Sequence, residues 1–293
     1  MSALIEGDRT HSRGRDGAVF HLAADSGWPQ RFGLMARDLR DGASLWRLAW
    51  LLATSDIRLR YRGSVLGPLW LTLSTAVMIG AMGFIYAALF RADIRQYLPY
   101  LSVSIVIWNY LSALVNEGCN CFLTEQKLIH GARMPFSLHA ARSVLRNTIV
   151  FAHNVVVIVP VFLLVGAPVT WEILWVVPAL LLWLLDGFAV AMLLGALCAR
   201  FRDVPPIVGA LLQVVFFATP IMWYASLLDG HPLLGVLIRF NPFFHLLEVV
   251  RAPLLGGAPP AGSVLGALAA SAVALALAAV GFARMRGRIA YWV

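Results

Sequence analysis

The sequence holds a single lysine, Lys127, and no Gly-x-x-x-x-Gly-Lys run comes before it. A phosphate-cradling loop needs that lysine on the β- and γ-phosphates. ATP hydrolysis by a P-loop is therefore excluded for this chain, and any ATP-driven work needs a separate ATPase. Cysteine is also scarce. Cys119, Cys121 and Cys198 have no clustered histidine or cysteine partners, so they read as free thiols and no metal site is expected. The seven histidines never fall at His-x-x-x-His spacing. No Gly-x-Ser-x-Gly and no paired acidic motif is found, so no catalytic residue is assigned. Charge is low as well, at 13% of residues, where a soluble domain carries about a quarter.

Apolar residues fill the gap. They make up 60% of the 293 residues, and the mean hydropathy is +0.78. Such a chain needs lipid as solvent. Five stretches, roughly 66–90, 98–121, 144–165, 173–198 and 204–226, are long enough for a hydrocarbon core about 30 Å thick. A sixth, roughly 263–283, follows a more broken region. The expected fold is an all-α integral membrane protein with six transmembrane helices. Residues 1–43 read as a partly disordered arm, 44–62 as an amphipathic interface helix and 63–293 as the transmembrane domain.

Basic residues fix the orientation. With six spans and the N-terminus inside, all but four of the 23 (Arg91, Arg95, Arg239 and Arg251) lie on the cytoplasmic side. Both termini are then cytoplasmic. The formal charge of +8 is accounted for by arginines beside anionic lipid, with no nucleic-acid partner. Residues 232–255 do not fit a simple span. They contain Arg239, Asn241-Pro242, Glu248, Arg251 and Pro253, and the pieces on either side of Asn241-Pro242 are too short to cross. They read as a re-entrant helix pair entering from the outer face, tolerable only beside protein or water.

Some residues invite function. Asp186, in the middle of the fourth span, is costly there and must face protein or water; His153 and Asn154 are candidate partners, with a structural hydrogen bond favoured over transport. Gly187, Ala191, Gly195 and Ala199, and again Gly266, Ala270, Ala274 and Ala278, form small-residue ladders for close helix contact. Phe84, Phe216 and Phe217 lie deep, with Tyr86, Trp223 and Tyr224 nearer the outer ends. Their rings suit the C–H faces of sugars and are candidates for a glycan path.

Certain strings resemble a known family. Arg60-Tyr61-Arg62-Gly63-Ser64-Val65-Leu66-Gly67-Pro68-Leu69-Trp70, Arg200-Phe201-Arg202-Asp203, Asn241-Pro242-Phe243 and the ending Arg288-Ile289-Ala290-Tyr291-Trp292-Val293 resemble the ABC-2-type permeases that export bacterial polysaccharides. The likeness covers roughly residues 44–293. It implies a homodimer in the inner membrane with two ATP-binding subunits, which bind the ATP and Mg while this chain holds no cofactor. The implied substrate is a lipid-linked polysaccharide of O-antigen or capsule type. The loop 122–143 resembles the family's coupling segment through Leu128, Ile129 and Pro135, and makes Lys127, His130, Arg133 and Pro135 candidates for ATPase contact. Arg58, Arg60, Tyr61, Arg62 and Trp70 are candidates for cytoplasmic access of substrate. Arg239, Asn241, Pro242, Glu248 and Arg251 are candidates for a re-entrant gate. Asp203 is placed to cap the fifth span. Export of teichoic acid or a small amphiphile is the alternative within the fold. A proton-coupled transporter using Asp186 and a membrane glycolipid enzyme are the alternatives outside it.

Overall fold

The computed structural model describes residues 27–64, 67, 69–132, 134–168, 170–228 and 230–293. Among these every regular element is helical. The chain opens with α1 (Trp28–Ser44) and α2 (Trp46–Arg60), which meet at Leu45. The amphipathic segment expected over 44–62 holds α2 alone, and α1 is a further helix before it. α1 covers 28–44, where an arm is expected over 1–43; residues 1–26 lie outside the described residues. Ala49, Ala53 and Ile57, four apart, turn the inner face of α2 against α6. Trp46, Trp50 and Leu51 stay exposed on the other side.

Five helical stretches are long and apolar enough to cross a bilayer. They are α3 (Leu69–Phe90), α4 (Ile94–Asn120), the pair α6 (Phe136–Val155) and α7 (Ile158–Val165), the stretch from a short 3₁₀ turn through α8 (Val176–Arg200), and α12 (Ala261–Trp292). The break between α6 and α7 has a clear cause. Pro160 has no N–H for the Val156 carbonyl, and its ring crowds that carbonyl. The expected span 204–226 differs from the others. It is helical only as α9 (Val204–Ala218), whose 15 residues rise about 22 Å. Thr219 precedes Pro220, which disfavours helical geometry, and the chain continues as a buried irregular stretch through Met222. The short α5 (Gln126–Gly131) lies between α4 and α6. The segment 232–255 is α10 (Pro232–Arg239) and α11 (Pro242–Leu254), broken at Phe240–Asn241.

α4 is the central element, buried along most of its length and touching α3, α6, α8, α9 and α11. The expected ladder on α8 makes its contact with α4 possible. A Cβ on Gly118 of α4 would come within 3.1 Å of the Ala191 backbone, and one on Gly195 within 2.5 Å of Cys121 Sγ. On α12 the fully buried ladder is Ser263, Ala267 and Ser271; Gly266, Ala270 and Ala274 are half-buried beside it. The three cysteines are free and buried, and no group that could hold a metal ion occurs among the described residues.

Candidate functional site

One face of α4 carries Asn109, Ser112, Asn116 and Asn120 at spacings of three and four. Polar groups in a membrane helix face protein or a polar path. Here Ser112 and Asn116 line a groove of about 500 Å³ against α9, which contributes Gly209, Gln213, Phe216 and Phe217. Trp108 closes one side, with its ring centroid 5.7 Å from that of Phe216. Gly209 faces Asn116, and a Cβ there would make only an ordinary contact with Oδ1 at 3.7 Å. The groove thus joins amide and hydroxyl groups to aromatic faces. Its polar stripe was readable in the sequence as four polar residues at helical spacing inside an otherwise apolar span, and was missed.

The irregular stretch that follows α9 is held tightly. The Tyr97 hydroxyl donates to the Met222 carbonyl at 2.5 Å, and the Tyr100 hydroxyl lies 2.8 Å from the carbonyls of both Pro220 and Trp223. Arg251, nearly fully buried on α11, donates to the Pro220 carbonyl at 2.6 Å, to Tyr100 at 2.8 Å and to Ser104 at 3.2 Å, and pairs with Glu248. Its guanidinium also lies 4.6 Å from the centre of the Tyr100 ring. Asn241 caps α11 by accepting from Phe243 and Phe244 N–H at 3.0 and 3.4 Å, and its amide donates to Thr219 at 2.8 Å. Asn241, Glu248 and Arg251 therefore converge on one knot. Arg239 does not join it; it is exposed, as is Pro242.

The ABC-2 type transporter family matches residues 47–255, from the start of α2 through α11. The chain belongs to the ABC-2 type transporter family. It is similar to the O-antigen export system permease protein RfbA of Myxococcus xanthus, with 27% identity over 232 residues, 78% of this chain and 88% of the relative. Two Klebsiella pneumoniae proteins of the same name are each 21% identical over 214 residues, 73% of this chain and 82% of theirs. The chain is thus a multi-pass membrane transport subunit, and a permease of this kind works with an ATP-binding subunit.

At the arginine-rich end of the permease, three acids and three arginines form a balanced hub. Arg142 of α6 forks onto Asp56 of α2, with Nε donating at 2.8 Å, and also pairs with Glu125, the residue before α5. Arg146, one turn on, pairs with Asp56 at 3.0 Å and with Glu117 of α4, which Arg60 approaches at 3.7 Å. Burial would raise the Asp56 pKa, but the hydrogen bonds and charges of Arg142 and then Arg146 outweigh it and hold the carboxyl below its ordinary value. A second tie involves Asp38 of α1. Pro135 stands at the cap position of α6 without a capping side chain, and Asp38 accepts from the N–H groups of Phe136 and Ser137 at 3.2 and 2.9 Å instead. Arg286 of α12 holds the same carboxylate at 3.0 Å. Both ties brace α5, whose Lys127 and His130 are exposed on its surface. Arg133 lies outside the described residues.

The structure redistributes the other candidates. Phe84 and Phe217 point outward, 72% and 65% exposed, and Trp70 is 59% exposed. Phe216, Tyr86, Trp223 and Tyr224 are packed: Tyr224 lies 4.5 Å from Tyr100, and Tyr86 stacks on Phe90 at 5.8 Å. They do not form one aromatic surface. Arg58 and Arg62 are exposed, and Tyr61 is half-buried. Asp203 stands before α9 but makes no capping bond, because Pro205 and Pro206 remove the two N–H groups a cap would use. Asp186 pairs with neither His153 nor Asn154. Its partner is Ser271 of α12 at 2.7 Å, while His153 Nδ1 lies 2.7 Å from the Ile149 carbonyl of its own helix.

Proposed function

We propose that the chain is the permease subunit of an exporter that moves a lipid-linked polysaccharide of O-antigen or capsule type across the bacterial inner membrane. The observation that carries this reading is the groove between α4 and α9. Ser112, Asn116 and Gln213 offer hydrogen bonds to sugar hydroxyls, and Trp108, Phe216 and Phe217 offer flat faces to sugar C–H groups. Such contacts are individually weak and tolerant of sequence, so a chain can slide along them. The relatives, named as O-antigen export permeases, support the same substrate class. Two copies of the chain assemble with α3 and α9 bordering the path between them. Two ATP-binding subunits, holding ATP and Mg, dock on α5. Both termini are cytoplasmic, and α10–α11 is a re-entrant pair on the outer side, with α9 as the sixth, short span.

The test uses spheroplasts of the source bacterium depleted of this chain. The lipid-linked glycan should accumulate where a membrane-impermeant glycosidase cannot reach it, and re-expression should restore access. Normal access in depleted cells would overturn the reading.

A further inference from the structure

A second cavity, of about 610 Å³, lies on a different face of α4, enclosed by α8, α11 and α12. Trp108 separates it from the groove: its ring lies 5.7 Å from Phe216 on the groove side and 5.6 Å from Phe243, which lines the cavity. The volume is within the range of sites that hold a small organic ligand, about 300–1,000 Å³. Its wall is apolar and rich in small residues of α12, and it opens sideways past Val273 and Leu277, each more than half exposed.

Four polar side chains interrupt this wall; one, His245 of α11, places Nε2 2.8 Å from the Arg239 carbonyl and leaves Nδ1 without a partner. Asp186 is 8% exposed, and its Oδ1 has no partner. Its Oδ2 receives only a shared proton, since Ser271 Oγ also lies 2.9 Å from the Ala267 carbonyl. Trp183, one turn away on α8 and fully buried, has an Nε1–H without an acceptor. Arg239 lines the cavity from the break between α10 and α11 and makes no ion pair among the described residues. An orphan acceptor and an orphan donor in one apolar site are each costly. An occupant that relieves both must bring a donor for Asp186 and an acceptor for Trp183.

We propose that this cavity is a lipid site for a phospholipid whose headgroup carries a primary ammonium. The ammonium donates to Asp186 Oδ1, and the phosphate accepts from Trp183 Nε1–H and pairs with Arg239. One acyl chain lies along Val273, Ala274 and Leu277, and the other stays in the bilayer through the lateral opening. The sideways opening and apolar wall favour a lipid over a water-soluble zwitterion. The site is independent of the export reading, since it shares no lining residue with the groove.

The test is native mass spectrometry of the full-length permease with phosphatidylethanolamine and phosphatidylcholine of identical chains. The two headgroups have the same charge, but the methylated one cannot donate. Retention should favour phosphatidylethanolamine about tenfold, the equivalent of one charge-assisted hydrogen bond. The preference should fall to parity in Asp186→Leu and in Ala270→Trp, which fills the cavity. A diazirine-bearing phosphatidylethanolamine should label the 269–277 segment of the wild-type protein, which decides the matter even if both variants fail to fold. Free phosphoethanolamine should not compete. Parity in the wild type, labelling confined to other helices, a preference surviving in both variants, or competition by free phosphoethanolamine would each overturn the assignment.

Discussion

Replacing Arg142 with glutamine strikes the hub where α2, α5 and α6 meet. The wild-type guanidinium satisfies Asp56 in a fork and Glu125 at once. These side chains are only 13–16% exposed. Removing one partner of a fully buried pair costs about 3–5 kcal/mol, because the other charge is left uncompensated. Here Arg146 still holds Asp56, and the site keeps some solvent, so about 2–3 kcal/mol is expected. In a chain of this size that lowers Tm by about 4–12 °C, read by thermal unfolding of the purified permease in detergent. Asp56→Asn removes the same pair from the other side, so the double variant should be less destabilised than the sum of the singles by about 1 kcal/mol or more. The pH dependence adds a check of sign. A carboxyl held below its ordinary value contributes stability in full above about pH 4, and loses it as pH falls through the lowered folded-state value. The gap between wild type and Arg142→Gln should stay constant from about pH 5 to 8 and close only below about pH 4. A Tm change under about 1 °C, strict additivity, or a gap that varies near neutrality would refute the hub as a structural clamp.

The remaining predictions concern the faces of the molecule. Lys127→Glu with His130→Glu, both exposed on α5, should leave the permease folded but weaken its co-purification with the ATP-binding subunit; an unchanged complex would remove α5 from the interface. Asn116→Leu and Gln213→Leu should leave accumulation in the membrane intact and cut export of long glycans, whereas undiminished export would count against the groove. Phe217→Ala should change stability by no more than about 0.5 kcal/mol, while Arg251→Ala should cost about 3–5 kcal/mol by leaving the Glu248 carboxylate without its cation. Cysteines at Gly230 and Gly257 should both react with an impermeant reagent from outside the cell, and labelling of either from the cytoplasm would make α10–α11 a crossing.

Hydropathy and composition alone determined the all-α membrane fold and five long helices, whereas the expected span over 204–226 is helical only through Ala218. They also located the break at Asn241-Pro242, because a proline and a short polar side chain act on the local backbone wherever they sit. The motif strings pointed to the family for the same reason: they are contiguous. What the tertiary structure decided is everything that depends on contacts between distant segments. Asp186 meets Ser271 across 85 residues, Arg142 meets Asp56 across 86, and Tyr97 reaches Met222 across 125. No local pattern encodes those meetings, so Arg142 and Arg146 read only as two of the cytoplasmic-side basic residues. Aromatic content likewise could not separate Phe217 from Phe216. The two are neighbours in sequence, but the turn of α9 sends one ring outward and the other against Trp108.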